Sequence, residues 1–393
     1  MRYCSLCGAT FLAMTKCPRD NVVVKPDGGD PLLNAVLGER YRILERIGAG
    51  GMGQVYRAAH LRIASQFAVK VLYGDLALDP QMRARFEREA EAASCLQSRH
   101  IVRVVDFGES DRGITYLVME MLSGELLADS ITKSGQIEPL RAIGVARQVA
   151  RGLRHAHERG IVHRDLKPEN VMLVSEDDDE GVVKLLDFGI ARIVERKKLT
   201  QAISFLGSPA YASPEQIAGW EIDARTDLYA LGVIMFEMLS GAPPFWADSL
   251  MDILRKHQME PPPSIASVFP GYDAPPELEA VVRRLLEKNP DHRYSSSRAV
   301  IDALDDVAAK LSRRAAATSA SSPAITPSYE TPSSPGLVSI APTLALAAPR
   351  MPAAVVDAIH KTIMRGAPIY NAGDVDGCAR LYRETAESLA SGP

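Results

Sequence analysis

The chain has 393 residues, of which 46% are hydrophobic and 24% are charged, and its formal net charge is -4. This length favours two or three domains over one compact unit, and the composition is typical of a soluble globular protein. The near balance of charge excludes a general electrostatic attraction to nucleic acid.

Cysteines are concentrated at the start of the chain. Three of the five, Cys4, Cys7 and Cys17, lie in the first 17 residues, which fits a metal site in a reducing compartment better than a disulfide framework. Residues 1–30 resemble half of a zinc ribbon, in which Cys4-x-x-Cys7 and Cys17-Pro-Arg-Asp20 form two knuckles around tetrahedral Zn²⁺. Asp20 stands where a second cysteine would. A three-thiolate site completed from elsewhere, or a tail with incidental cysteines, stays open as an alternative.

The first residues also bear on location. Their cysteines and charges interrupt the apolar stretch that a secretory leader needs, so we expect no cleavable leader. The most apolar stretches, 228–239 and 338–348, fall short of the roughly 20 residues of a membrane-spanning helix. We therefore predict a cytoplasmic protein without a membrane span.

Residues 39–310 form the main predicted domain. Over residues 41–73, glycine turns alternate with β-branched and apolar runs, a pattern typical of antiparallel strands. Helical spacing follows at residues 81–97, 139–159, 223–239 and 276–288. The pattern predicts an α+β fold in which a small strand-rich lobe precedes a larger helical lobe.

A glycine cluster and a lysine lie in the strand-rich part. Glycines from Gly48 to Gly53 lie between two predicted strands, where absent side chains let the backbone close over phosphates; alone, this pattern indicates only a turn. Lys70 lies on an otherwise apolar strand and needs a partner, because burial of an unpaired charge is costly. Glu89 on the following helix is the favoured partner, with Glu87 and Glu91 as alternatives.

The decisive stretch is His-Arg-Asp-Leu-Lys-Pro-Glu-Asn at residues 163–170, followed by Asp-Phe-Gly at residues 187–189. Together with the glycine cluster, these runs resemble, in order and spacing, the signature of eukaryotic-type protein kinases. Lys167 is the residue type found in the serine/threonine branch of this family, which this loop therefore resembles. The amino-acid sequences of the motifs are similar to those of bacterial members. The resemblance covers residues 41–305 and implies the two-lobed protein-kinase fold.

The resemblance also implies roles for individual residues. Asp165 would be the catalytic base and Lys167 would balance charge on the transferred phosphate, while Asn170 and Asp187 would hold Mg²⁺ across the phosphates of ATP. Met119 would lie at the back of the adenine pocket. The nucleotide-binding residues implied are Ile47, Gly48, Gly50, Gly51, Gly53, Val55, Ala68, Lys70, Glu89, Glu120 and Leu122.

Residues 207–215 resemble the end of a kinase activation segment, with Ser213 in place of the usual alanine. The resemblance implies an ion pair between Glu215 and Arg293, and a buried Asp227 that braces the catalytic loop. Thr200 and Ser204 are candidate autophosphorylation sites, because Arg164 beside the catalytic base would favour a nearby phosphate. The alternative is that these are loop hydroxyls without a role.

The C-terminal part is different in composition. Residues 313–350 are rich in Ala, Ser, Thr and Pro and are expected to form a disordered linker, because they cannot bury enough apolar surface to offset ordering. Residues 351–393 resemble a tetratricopeptide-like helical pair, which would dock on the kinase or a partner, or serve no docking function.

The sequence thus predicts a bacterial serine/threonine protein kinase that uses ATP and Mg²⁺ and acts on protein substrates. A Zn²⁺ site is one of the two interpretations of its N-terminal cysteines. Partner proteins could bind the zinc-ribbon-like or C-terminal helical segment. Two rivals remain at this level: a catalytically inactive scaffold, and a small-molecule phosphotransferase of the same fold. The complete set of catalytic residues argues against the first, and the complete activation segment argues against the second.

Overall fold

A computed structural model describes residues 2–4, 10–11, 14–18, 21–24, 30–50, 53–176, 179–188, 209–269, 272 and 274–320. The chain divides into two compact units, Met1–Pro323 and Ala324–Pro393, and the described residues all belong to the first. Among the described helices, none has the length and apolar composition needed to cross a bilayer.

The small lobe is built on an antiparallel sheet. Its six strands, in spatial order, are β3 (Val36–Leu37), β4 (Tyr41–Ala49), β5 (Gly53–His60), β6 (Gln66–Leu72), β8 (Thr115–Glu120) and β7 (Val104–Glu109). Alternating side chains divide between two faces, as the period of a strand requires. Tyr56 and Val69 join a core on one face, whereas Ala68 and Met119 join a second core on the other.

Helices cover the second face of this sheet. A short helix, α1 (Gly74–Ala77), precedes α2 (Pro80–Ser94), whose Phe86 and Ala90 are buried in the core that contains Ala68. The strands predicted over residues 41–73 and the following helix are thus confirmed. Before the lobe, β1 (Arg2–Tyr3) and β2 (Thr10–Phe11) pair as a small antiparallel hairpin.

The large lobe is mostly helical, as predicted. Its helices are α3 (Leu127–Ser134), α4 (Pro139–His157), α5 (Pro214–Ala218), α6 (Arg225–Ser240), α7 (Leu250–Met259), α8 (Ile265–Val268), α9 (Pro276–Leu285) and α10 (Ser297–Ala320). A three-stranded sheet of β9 (Gly124–Leu126), β10 (Val171–Glu176) and β11 (Asp179–Leu185) packs on the core of these helices.

Helix α6 is the centre of the large lobe. Its side chains are buried almost all round, which marks a helix enclosed by others rather than one with a polar face. Gly232 explains one close packing contact, because a Cβ there would lie 2.7 Å from the Leu285 side chain on α9. The enclosed helix gives a rigid base for the loops that it contacts.

The last helix of the large lobe ends later than the predicted start of the linker. Helix α10 continues to Ala320, so the linker predicted from residue 313 begins with a helical stretch. The reason is local: residues 313–317 read Arg-Arg-Ala-Ala-Ala, which are strong helix formers, and Pro323 is the first residue beyond them that opposes a helix. The remaining linker and the helical pair at 351–393 lie outside the described residues.

Candidate active site

The predicted catalytic loop lies between α4 and β10 and brings three functional side chains together. The Asn170 side-chain nitrogen donates to the backbone carbonyl of Asp165 at 2.7 Å, and lies 3.5 Å from the Asp165 carboxylate. The Lys167 Nζ atom is 3.8 Å from the same carboxylate. Asn170 is buried at the end of a short 3-10 helix, Pro168–Asn170. The Asp165 and Lys167 side chains are about one fifth exposed. A carboxylate, an ammonium group and an amide therefore lie close together, and the first two are partly accessible to solvent.

The backbone of this loop is held by Asp227 on α6. Its two carboxylate oxygens accept hydrogen bonds from the amides of His163 and Arg164, each at 2.8 Å, and His157 Nε2 lies 2.7 Å away. Burial raises the pKa of Asp227, but the hydrogen bonds from His157 and from the loop amides lower it by more. The net pKa of Asp227 is therefore below its usual value. The predicted brace is confirmed.

The bracing fixes an unusual backbone conformation. Arg164 has a φ of 65°, which is costly for a residue with a side chain, on the order of 1–3 kcal/mol. The Asp227 carboxylate holds its amide, and the Gln216 side chain donates to its carbonyl at 2.9 Å. These contacts stabilise the strained conformation of Arg164, immediately before Asp165. They thereby fix the orientation of the Asp165 side chain.

His163 joins the catalytic loop to the segment after β11. The ring is fully buried, its Nε2 donates to the carbonyl of Leu186 at 2.9 Å, and its centroid lies 4.5 Å from that of Phe188. Burial lowers the pKa of His163, which keeps the imidazole neutral and able to donate from one nitrogen. Asp187 lies between Leu186 and Phe188, so its position follows from these contacts.

Lys70 on β6 reaches Asp187 across the two lobes. Its Nζ lies 2.9 Å from the Asp187 carboxylate, and the Lys70 side chain is buried. Burial raises the pKa of Asp187, while the charge and hydrogen bond of Lys70 lower it, and the net pKa is below the usual value. Of the predicted partners, Glu87 and Glu91 are exposed, and the side chain of Glu89 is outside the described residues.

The glycine cluster lies where β4 ends and β5 begins, and we call this connection the glycine turn. Gly48 pairs with Val55 in the sheet, and the amide of Gly50 donates to the carbonyl of Gly53 at 2.9 Å. A Cβ at Gly53 would lie 2.1 Å from the carbonyl oxygen of Val71, so only glycine fits there. Gly51 lies outside the described residues. Ile47 is exposed at the base of the turn.

The connection between the lobes follows Met119, which is buried as expected of a residue behind the pocket. The amide of Glu120 donates to the carbonyl of Arg103 at 3.0 Å, and its side chain accepts from Lys184 Nζ at 2.9 Å. Sequence reasoning missed Lys184. The signal was available, because a lysine within the apolar run Val-Val-Lys-Leu-Leu needs an acidic partner, as Lys70 does.

A second buried ion pair lies below the site. Arg293 donates two hydrogen bonds to Glu215, at 2.7 and 2.8 Å, and the Thr226 hydroxyl donates to the same carboxylate at 2.8 Å. The predicted pair is therefore confirmed. Ser213 caps α5 by accepting from the amide of Gln216, which gives a physical use for the serine that replaces alanine.

Glu237 gives a pH-dependent prediction. Burial raises its pKa to about 7, and a hydrogen bond from the Tyr211 hydroxyl at 2.6 Å only partly offsets this. Because the folded state binds the Glu237 proton more tightly than the unfolded state, the stabilisation is complete below pH 4.5 and is lost as pH rises through 7, on the order of 3 kcal/mol. We expect Glu237→Gln to match the wild type near pH 5 and to exceed its free energy of unfolding at pH 8.5.

Urea unfolding at several pH values measures this difference. Glu279→Gln provides a control, since it removes a partly exposed carboxylate that pairs with the exposed Arg283. Parallel stability profiles for wild type and Glu237→Gln from pH 5 to 8.5 would contradict the prediction.

Four further predicted site residues lie outside the described part of the chain, namely Thr200, Ser204, Cys7 and Asp20. Cys4 and Cys17 are both buried in one small cluster with Phe11 and Val24. Within the described ranges, no group of three or more His, Cys, Asp or Glu side chains could hold a metal ion.

Comparison with known proteins gives a family match over most of this region. Residues 41–303 match the family described as protein kinase domain. Serine/threonine-protein kinase PknB of Mycolicibacterium smegmatis is 41% identical over 266 residues, 66% of this chain and 42% of that protein. Serine/threonine-protein kinase pkn3 of Myxococcus xanthus is 38% identical over 274 residues, 69% of this chain and 50% of that protein. The chain thus spans between about two fifths and one half of the length of these relatives.

The similarity extends to solved structures. The crystal structure of the Mycobacterium tuberculosis PknI kinase domain superposes with a TM-score of 0.55 and 30% sequence identity. The superposition covers 70% of this chain and 98% of that chain. Both lobes described above therefore have a counterpart of known structure.

Proposed function

This chain belongs to the protein kinase family and has its two-lobed fold, and on this premise we propose that it transfers the γ-phosphoryl group of ATP to serine or threonine hydroxyls of proteins. One arrangement carries the proposal. Lys70 from the small lobe pairs with Asp187, and the amide of Leu186, next to Asp187, donates to the carbonyl of Asn170, whose side chain contacts Asp165. The names of the relatives, all serine/threonine-protein kinases, support the same activity.

The chemistry requires positioning and charge balance more than covalent catalysis. Asp165 would orient the attacking hydroxyl and accept its proton, as the bond from that oxygen to the γ-phosphorus forms and the bond from the γ-phosphorus to the bridging oxygen of ADP breaks. Lys167, with its Nζ 3.8 Å from the Asp165 carboxylate, would neutralise charge on the transferred phosphoryl group. The strained, doubly held peptide at Arg164 supports this assignment, because it keeps Asp165 in one orientation.

The residues of this site fit Mg²⁺. The pKa of Asp187 is held below its usual value, so the carboxylate is ionised, and the Asn170 side chain offers an amide oxygen while its nitrogen donates to Asp165. Hard oxygen donors of this kind suit Mg²⁺, which keeps waters and phosphate oxygens as further ligands. The metal would neutralise phosphate charge, and Asn170 and Asp187 would hold it.

The nucleotide would lie between the lobes. Val55, Ala68 and Met119 belong to one apolar cluster and would contact the adenine, with Ile47 at its exposed edge. The glycine turn would cover the phosphates. Because the Glu120 amide already donates to Arg103, the base would take the Glu120 carbonyl and the Leu122 amide. The Lys184 contact would hold Glu120 in place for that purpose.

The test is incubation of the full chain with labelled ATP, Mg²⁺ and a general protein substrate, followed by analysis of the labelled residues. We expect label on serine and threonine, with Thr200 and Ser204 as the proposed autophosphorylation sites. Label only on small molecules would favour the phosphotransferase alternative. Binding of ATP without any transfer would favour the scaffold alternative.

For the N-terminal segment we propose a zinc site formed by Cys4, Cys7, Cys17 and Asp20 in a cytoplasmic, reducing setting. Burial of Cys4 and Cys17 in the same small cluster supports it, since thiolates of one site must converge. About one equivalent of zinc in the purified chain, lost in Cys17→Ala, is the expected result. The helical pair at 351–393 is proposed to bind a protein partner on its sequence pattern alone.

A further inference from the structure

The cysteine-bearing segment has a small core of its own. Phe11 on β2 packs with Cys4, Cys17 and Val24, each almost fully buried. Two backbone contacts organise it: β1 pairs with β2, and the amide of Cys17 donates to the carbonyl of Val22 at 2.8 Å. The segment is therefore an ordered attachment in its described parts.

This attachment contacts the small lobe next to the glycine turn. The hydroxyl of Thr10 on β2 donates to the Gln54 side-chain oxygen at 3.4 Å, and both side chains are buried, with exposures of 2% and 1%. Tyr56 lies on the same face of β5, where its hydroxyl also contacts Gln54 and donates to Asp30 at 2.8 Å. A polar network thus connects the segment to the first residues of β5.

The position of Gln54 matters because it follows Gly53 directly. The Gly53 backbone packs so closely on β6 that a Cβ there would lie 2.1 Å from the Val71 carbonyl oxygen. Val55, the next residue, faces the opposite side of the sheet, in the cluster with Ala68 and Met119. Thr10 and Gln54 therefore lie outside the nucleotide pocket while holding the strand that leaves the glycine turn.

A second contact between the attachment and the small lobe lies two elements after β5 in the chain. Strand β2 also packs beside α1, the short helix between β6 and α2. Strand β6 carries Lys70 and α2 carries Glu89. The attachment therefore contacts the small lobe at two places: the start of β5, and α1, which follows β6.

From this arrangement we infer that Thr10 and Gln54 are positioning residues for the nucleotide, through which the cysteine-bearing segment holds Gly53 and the start of β5 in the conformation that binds phosphates. The inference rests on the proposed function, since it concerns the same nucleotide site.

The physical reason is preorganisation. A nucleotide that must order the glycine turn loses part of its binding free energy to that ordering, and a turn already held by the attachment avoids the loss. Removal of the Thr10 hydroxyl also leaves the buried Gln54 amide without one of its contacts, which favours conformations in which the strand moves. The effect should fall on nucleotide affinity and leave turnover at saturating ATP nearly unchanged.

By linkage, the coupling must work in both directions. If the segment tightens nucleotide binding, then nucleotide binding must stabilise the segment by the same factor. Amide hydrogen exchange at residues 14–18, which include the Cys17 amide, should therefore slow when Mg-ADP binds to the wild-type chain.

The test compares Thr10→Val with wild type in the full chain, using calorimetric binding of Mg-ADP and the KM for ATP. We expect the dissociation constant and KM to rise about fivefold in Thr10→Val, with kcat within about twofold, as one lost hydrogen bond implies. Thr10→Ser restores the hydroxyl and should return both values to within about twofold of the wild type.

Thr115 provides a matched control in the same lobe. It is also buried, on β8, and its hydroxyl has no hydrogen-bond partner in the described part of the chain. Thr115→Val makes the same chemical change on a strand that does not pair with β5, removes no hydrogen bond of the described residues, and should leave Mg-ADP affinity unchanged.

The outcomes are distinguishable. Unchanged affinity in Thr10→Val beside a wild type that binds Mg-ADP would overturn the inference and leave the proposed function intact. A wild-type chain that binds no Mg-ADP would overturn both. Should Thr10→Val fail to fold, hydrogen exchange on the wild type still decides: no slowing at residues 14–18 with bound Mg-ADP overturns the inference.

Discussion

Replacement of Asp165 by asparagine is expected to lower kcat by about 10³-fold, within the usual range for loss of a general base. Asparagine keeps the size of the side chain but cannot accept the proton of the attacking hydroxyl. The main contact of Asp165 with Asn170 uses its backbone carbonyl, at 2.7 Å, and that contact survives the substitution. Initial rates of phosphate transfer to a general protein substrate measure the effect.

Two controls separate chemistry from folding. The affinity for Mg-ADP and the melting temperature of Asp165→Asn should stay close to those of the wild type, because the brace from Asp227 to the amides of His163 and Arg164 is untouched. Asp302→Asn makes the same change at an exposed carboxylate on α10 and should retain full activity. An Asp165→Asn chain that keeps more than about a tenth of wild-type kcat would contradict the assigned role.

Arg293→Ala is expected to cost about 3–5 kcal/mol of stability, the largest structural effect that we predict. The Glu215 and Arg293 side chains are 3% and 0% exposed, and Arg293 also donates to the backbone carbonyls of Glu287 and Arg225. Its removal leaves a buried carboxylate with only the Thr226 hydroxyl from this network. Burial of an uncompensated charge is the source of the cost.

The free energy of unfolding in urea measures this loss. Arg283→Ala is the matched control: it breaks an Arg–Glu pair of similar length, 2.9 Å to Glu279, but on an exposed helix surface where such pairs contribute only a few tenths of a kcal/mol. Glu215→Ala introduced into Arg293→Ala should cost less than it does alone, because the orphaned charge is gone. Equal losses at Arg293 and Arg283 would show that burial does not set the strength of the pair.

Local patterns in the sequence were sufficient for the architecture of the main domain. The period of two over residues 41–73 and the helical spacing after it predict the two lobes, because strand and helix periods depend on neighbouring residues. The order of the glycine, His-Arg-Asp and Asp-Phe-Gly runs identifies the family. The pairing of Glu215 with Arg293 and the bracing role of Asp227 also followed from the resemblance and are confirmed.

Sequence alone determined which residues carry the proposed chemistry, whereas only the tertiary structure decided which of them meet. The Lys70–Asp187 contact, the Lys184–Glu120 contact and the hydrogen bond from Thr10 to Gln54 each join residues more than 40 positions apart. No local period encodes such pairs, because their formation depends on how sheets, helices and attachments pack. The raised pKa of Glu237 has the same origin, since burial beside Tyr211 is a property of the assembled lobe.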